Sequence, residues 1–155
     1  GAAVIVNYSK SKKEADEIVH AIEKKGGKAK AIQANMSDEK EIESLFSQAK
    51  QAFGKLDILI NNAGIYEFLP LEKITAEHFH KHFDLNVLGL ILACREAVKS
   101  FSPSGGSIVN ISSIASTARI PETAVYSGTK AAVDEITRSL AAELGPRKIR
   151  INAIN

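Results

Sequence analysis

One cysteine in 155 residues, Cys94, excludes any disulfide within the chain and suits a reducing compartment. It closes the apolar run Leu88 to Cys94, where a small core residue is expected rather than a nucleophile. Charge of one sign is equally scarce: 20 Lys and Arg stand against 18 Asp and Glu, a formal net charge of +2. That balance gives no electrostatic case for nucleic acid or for an acidic membrane surface as a partner. No apolar stretch approaches the roughly 18 residues of a membrane span, and the opening GAAVIVNYSK lacks the basic start of a signal peptide. The expectation is a cytoplasmic protein without membrane attachment. Repeats, linkers and low-complexity tracts are also missing, so residues 1–155 read as one domain.

What is present is ordinary globular composition, 45% apolar and 25% charged, in a chain long enough to bury roughly 68–70% of its unfolded surface. Two periodicities alternate along it. AAVIVNY (2–8), KAKAIQAN (28–35), LDILINN (56–62), GSIVNIS (106–112) and IRINAI (149–154) read as strands, three of them as the nearly unbroken apolar runs of a parallel sheet covered on both faces. Between them, Ala15, Ile18, Val19 and Ile22 recur at helical spacing, as do Ile42, Leu45, Phe46, Ala49 and Phe53. Ser37 and Asp38 offer an N-cap with Glu39 and Glu41 in the first turn. KKGGK and Gly54 supply the helix ends. A longer helix is expected from near Thr75 toward Ser100, broken by SPSGG. The last helix carries Val133, Ile136, Leu140 and Leu144 on one stripe and stops at Gly145-Pro146. Strand and helix alternating in this way predict an α/β fold, a doubly wound parallel sheet with right-handed crossovers.

Ligands bind such sheets beyond the carboxyl ends of the strands. The polar residues there are Asn7 to Lys12, Asn35-Met36, the NNAG at 61–64, and Ser112-Ser113, followed one loop later by the helix bearing Tyr126 and Lys130. Four positions apart, Tyr126 and Lys130 share a helical face. A phenol with pKa near ~10 needs a drop of about 3 units, roughly 4 kcal/mol, to act as a base at neutral pH. An ammonium ~4 Å away supplies about that much at an effective dielectric of 20. With a serine hydroxyl holding a carbonyl or alcohol oxygen, proton transfer by the tyrosine together with hydride from a cofactor makes a coherent reaction.

Taken in order, NNAG (61–64), DLNVLG (84–89), SIVNISS (107–113), YSGTK (126–130) and RINAIN (150–155) resemble the short-chain dehydrogenase/reductase family over essentially the whole chain, with Ser113 lying 13 positions before Tyr126. The resemblance implies an oxidoreductase acting on a small-molecule ketone or secondary alcohol, of the 3-oxoacyl-carrier-protein reductase or sugar dehydrogenase type. It implies Tyr126 as acid/base and Ser113 as the group that orients the substrate oxygen. Lys130 would tune Tyr126 and hold the nicotinamide ribose, and Asn86 would anchor a water through its backbone in a relay to Lys130. Asn62, Ala63 and Gly64 would line the cofactor, with Tyr126 and Lys130 also touching it, and the backbone approach at Gly64 needs glycine.

Asn7, followed by Tyr8, Ser9 and Lys10, stands where an NAD enzyme usually has a carboxylate for the ribose 2′-hydroxyl. NADP is therefore favoured over NAD. Asn35, with Met36, occupies the place of an Asp that accepts from the adenine amino group, and its side-chain carbonyl can still accept. The family's opening strand with its Gly-rich turn, and its closing substrate loop and last strand, have no counterpart here. The sequence is expected to be an internal portion of a longer enzyme, lacking a central strand between its first and third. The alternative is a catalytically idle fragment or scaffold that associates through its helices.

Three features are expected to be less specific. HFHKHF puts His78 and His82 on one helical face at metal-compatible spacing, but no further Cys, His or Asp cluster completes a site. No metal is expected, and that face is read as solvated or subunit-facing, with Phe79 and Phe83 packed. The long helices imply, by resemblance, a homo-oligomer, dimer or tetramer. IYEFL (65–69) and IASTARIPETA (114–124) are the expected substrate walls.

Overall fold

In the computed structural model, which describes all 155 residues, five parallel strands alternate with five α-helices. They run in the order β1 (Ala3–Tyr8), α1 (Lys12–Lys24), β2 (Lys28–Gln33), α2 (Glu39–Phe53), β3 (Ile58–Asn61), α3 (Ala76–Phe83), α4 (Gly89–Ser100), β4 (Gly106–Ile111), α5 (Ala124–Leu144) and β5 (Ile149–Ile154). Every expected strand is present, so all carboxyl ends gather on one edge. The sheet is in two pieces, β1-β2 and β3-β4-β5, with no ladder between β1 and β3. The expected apolar coverage fails beside that interval. Ile58 and Ile60, alternate residues on one face of β3, are 55% and 61% exposed, and Ile18 on α1 is 50% exposed.

The larger core forms where α4 and α5 cover β4 and β5. Leu90, Cys94, Ile108, Val133, Leu144, Ile149 and Ile151 are buried together, with Ile136 and Leu140 packed against them. Cys94 is thus the core residue its context predicts, and burial pushes its thiol up to about 11. A smaller cluster of Ile32, Ala34 and Leu45 holds β2 to α2. The two parts are joined by α2 against α4, where Arg95 donates to Glu39 at 2.7 Å and to Glu43 at 3.2 Å. Helix ends follow the local chemistry. The Asp38 carboxylate caps α2 by accepting from the Glu41 N–H, and Gly54, at φ 84°, ends it.

One polar thread crosses the core. The Asn61 amide donates to Asn110 Oδ1 at 2.9 Å, and the Asn110 amide donates to Thr137 Oγ1 at 2.9 Å. This aligns the carboxyl ends of β3 and β4 with the middle of α5. Asn110 is fully buried, so its removal strands both partners, at a cost of about 1–3 kcal/mol. Asn110→Ala is expected to lower the unfolding free energy of the full-length protein by that amount, read as a lower urea midpoint at unchanged slope. A midpoint equal to wild type would show that the thread does not stabilise the sheet.

Candidate active site

Tyr126 lies in the first turn of α5, half-buried, and Lys130 one turn later is buried. The Lys130 ammonium donates to the Ile111 carbonyl, the last of β4, at 2.7 Å, and sits 5.8 Å from the centroid of the Tyr126 ring. Burial pushes the Lys130 pKa below its ordinary value, and the Asp134 carboxylate one turn on partly restores it. Asp134 is itself pulled upward by burial, but the side chains of Ser112, Ser116 and Asn155 outweigh this and hold it below the usual carboxylate value.

The serine pair divides its labour. Ser112 is buried and its hydroxyl donates to the Lys130 carbonyl at 3.3 Å. Ser113, half-buried, accepts from the Ala115 N–H at 3.1 Å. A hydroxyl that accepts in this way keeps its own proton free to donate.

Asn86 owes its position to a feature that the helical pattern does not reveal. The expected continuous helix from Thr75 to Ser100 contains a π turn at Asp84–Leu88, a widening that recurs at functional sites. It turns Asn86 inward. Its side chain accepts from Ile65 N at 2.9 Å and donates to the Ile65 carbonyl at 2.9 Å and to Thr129 Oγ1 at 3.1 Å. Both amide protons are therefore committed to tying the loop after β3 to α5. Gly64 lies against this knot: a Cβ there would stand 3.2 Å from Asn86 Oδ1 and 3.8 Å from Lys130 Nζ. The two expected substrate walls meet through Leu69 N–H donating to the Glu122 carbonyl at 2.7 Å. Tyr66 brings its ring to 6.0 Å from that of Tyr126 and packs edge-on against Phe68 at 6.4 Å.

A cleft of about 790 Å³ opens beside Gly64 along the interval between the sheets. Asn7, Tyr8, Ser9, Lys10, Asn35, Met36, Ala63 and Gly64, all expected cofactor contacts, line it; Asn62, Tyr126 and Lys130 do not. Asn7 spends its amide protons on the Ile32 and Ala34 carbonyls at 3.3 and 3.1 Å. Asn35 Oδ1, expected to accept from an adenine amino group, already accepts from Ser37 N at 3.0 Å, which leaves it one lone pair. Glu14, Lys81 and Asp84 also line the cleft and were not foreseen. Lys81, Asp84 and Leu85 share a helical face at i, i+3 and i+4, a signal the sequence did carry.

The histidine face departs from expectation. His78 and His82 are buried, whereas Phe79 is 41% exposed and stacks on Phe83 at 4.2 Å. The Thr75 cap sets the phase of α3, and α3 packs on α5 with Phe83 near Gly128, which turns the histidines inward beneath the loop carrying Glu67.

The short chain dehydrogenase family model matches residues 1–155. An uncharacterized oxidoreductase of Methylorubrum extorquens is 50% identical over 155 residues, covering 100% of this chain and 62% of that protein. A trihydroxynaphthalene reductase of Pestalotiopsis fici is 42% identical, covering 99% of this chain and 55% of the relative. Among solved structures, a dehydrogenase/reductase from Sinorhizobium meliloti superposes with TM-score 0.95 at 37% identity, covering 99% and 61% of the two chains. A short chain dehydrogenase from Burkholderia cenocepacia in complex with NADP gives 0.94 at 36% identity, covering 99% and 62%. The chain thus spans 55% to 62% of the length of these curated relatives.

Gly89, at the end of the π turn, touches the cleft wall from behind: a Cβ there would fall 2.0 Å from the Met36 carbonyl oxygen. Gly89→Ala is expected to destabilise the full-length protein by about 1–3 kcal/mol, the usual cost of overpacking, as read by chemical denaturation. An unchanged midpoint would mean that α4 and the Met36 segment do not press together.

Proposed function

We propose a function on a firm premise: this chain belongs to the short-chain dehydrogenase/reductase family. The protein that carries it interconverts a ketone and a secondary alcohol, with NADP(H) as cofactor and Tyr126 as acid/base. The observation that carries this reading is the meeting of four chain segments around one ammonium: Lys130 on the Ile111 carbonyl, Tyr126 at 5.8 Å, and Gly64 against both Lys130 and Asn86.

In the direction of reduction, Ser113 donates its free proton in a hydrogen bond to the carbonyl oxygen and fixes its place. NADPH, when bound, supplies the hydride to the carbonyl carbon. Tyr126 gives its proton to the oxygen as the alkoxide develops, and the Lys130 ammonium stabilises the phenolate that remains. The Ile111 carbonyl orients that ammonium, and Asp134 behind it favours the charged form. Gly64 lets the main chain approach the cofactor closely. Asn86 acts as a positioning residue, its two amide protons spent on Ile65 and Thr129, and its main chain would hold the relay water.

The cleft suits the cofactor. It runs from the end of β1 to Gly64 and has an asparagine, not a carboxylate, at Asn7, with Lys10 on its wall. Glu14 on the same wall opposes a 2′-phosphate, but it lies in the first turn of α1, beyond the serines and Lys10. The Burkholderia cenocepacia complex with NADP supports the same choice.

For the substrate, Tyr66 beside Tyr126 and Phe68 against Tyr66 are exposed aromatic rings, which favours a ketone on or next to a flat ring over an acyl chain or a sugar. Relatives named as reductases of hydroxynaphthalenes are in keeping with this. Exposed Leu88 and Ile91 on the helix before the SPSGG break support association of subunits through that face.

Tyr126→Phe in the full-length protein should lower NADPH oxidation with an accepted ketone by about 10²–10⁴-fold while NADPH affinity stays near wild type. Unchanged turnover would overturn the acid/base role, whereas a wild-type full-length protein that turns over no ketone would leave the idle-scaffold reading standing. Asp134→Asn removes the charge that raises the Lys130 pKa, so that pKa falls further. The alkaline limb of the pH–rate profile, where the ammonium is lost, should move to lower pH, and a limb that stays put would detach Lys130 from the reaction.

A further inference from the structure

We propose that Glu67, His78 and His82 form a site for a single divalent transition-metal ion, zinc by its donor set, which fastens the loop bearing Tyr66 and Phe68 to α3. The ligand atoms of the three residues already lie within 4.8 Å of one another. His78 and His82 stand one turn apart on α3 with ring centroids 4.3 Å apart, and they are 9% and 0% exposed.

The hydrogen bonding of His82 is that of a ligand. His82 Nδ1 lies 2.8 Å from the His78 carbonyl oxygen. That oxygen can only accept, so Nδ1 carries the proton and Nε2 carries a bare lone pair. This buried Nε2 has no hydrogen-bond partner, and neither does either ring nitrogen of His78. Buried polar atoms are seldom left unpaired, and one electrophile between the two facing rings would take one nitrogen from each, His82 Nε2 and His78 Nε2.

Glu67 completes the set from a segment that the helical pattern could not connect to it. Its Oε2 is 3.4 Å from His78 Nε2, matching the spacing of about 3.4 Å between ligands around zinc with bonds of about 2.1 Å. Its other oxygen accepts from Lys81 Nζ, the kind of outer support that orients a ligating carboxylate. Two imidazoles and a carboxylate suit zinc and leave one position for water. Glu67 is 43% exposed, so the ion has an entry path.

The consequence reaches the active site. Ile65, two residues before Glu67, exchanges both hydrogen bonds with Asn86, and Tyr66 faces Tyr126. An ion here would hold the aromatic wall in register with the reacting groups, as a positioning element and not as a participant in hydride transfer.

The test is a titration of the chelator-stripped, full-length protein with zinc chloride in competition with a chromogenic chelator. One equivalent is expected per chain, with cobalt(II) substitution giving the visible absorption of a low-coordinate nitrogen and oxygen site. Glu67→Gln, at an exposed position that does not threaten folding, should weaken zinc at least about tenfold, since even outer-shell losses cost 10–100-fold, and His78→Gln should do the same. His80→Gln, on the exposed face of the same helix, should leave affinity unchanged. Absence of a stoichiometric site, wild-type affinity in Glu67→Gln, or an equal loss in His80→Gln would each overturn the proposal.

Discussion

The Lys130 ammonium on the Ile111 carbonyl is the constraint that organises this molecule. A buried ammonium is costly unless its protons are accepted, and here one carbonyl at the end of β4 accepts at 2.7 Å. This fixes both the depth and the rotation of α5 against the sheet. Ser112 reinforces it by donating to the Lys130 carbonyl, and Asn110 repeats the link two turns along at Thr137. Tyr126, one turn before Lys130, is thereby delivered to the sheet edge where Ser113 leaves β4. Apolar contact of Val133 with Ile108 in the larger core adds the non-directional part of the same attachment.

The second half of the site is attached to the first through Asn86. Its amide imitates a backbone pair toward Ile65 and also reaches Thr129, whose hydroxyl donates to the Tyr126 carbonyl at 2.7 Å. The loop after β3, the π turn and the start of α5 therefore form one hydrogen-bonded body. The β1-β2 piece belongs to a different regime. It meets the rest through α2 on α4, the Arg95 ion pairs and the close approach of Met36 to Gly89. Ser113, Tyr126 and Lys130 thus go with the β3-β4-β5 piece, and most of the cleft wall goes with the β1-β2 piece.

Much of this was legible beforehand, and for identifiable reasons. Strand runs, helix caps and the Tyr126/Lys130 pair are written in local periodicity, which survives without knowledge of the neighbours. The strand-end rule placed Asn7 to Lys10, Asn35, Met36 and Gly64 at one sheet edge, and these residues line one cleft. The π turn was not legible, because one widened turn leaves the apolar pattern on either side nearly in phase. Nor was the burial of His78 and His82. A histidine suits either environment, and only the packing of α3 on α5 under the Glu67 loop decides between them.

By itself the sequence determined the alternation of strands and helices, the parallel direction that follows from it, and the one helical face that carries both phenol and ammonium. Each of these depends on spacing within about twenty residues. Only the tertiary structure decided that Ser112 supports while Ser113 stays free to donate, that both amide protons of Asn86 are spent on Ile65 and Thr129, and that a glutamate eleven positions before His78 lies against its ring. Those are contacts between segments far apart in the chain or differently turned at its bends. Periodicity places a side chain on a face, but the partner across from that face comes from how the elements pack.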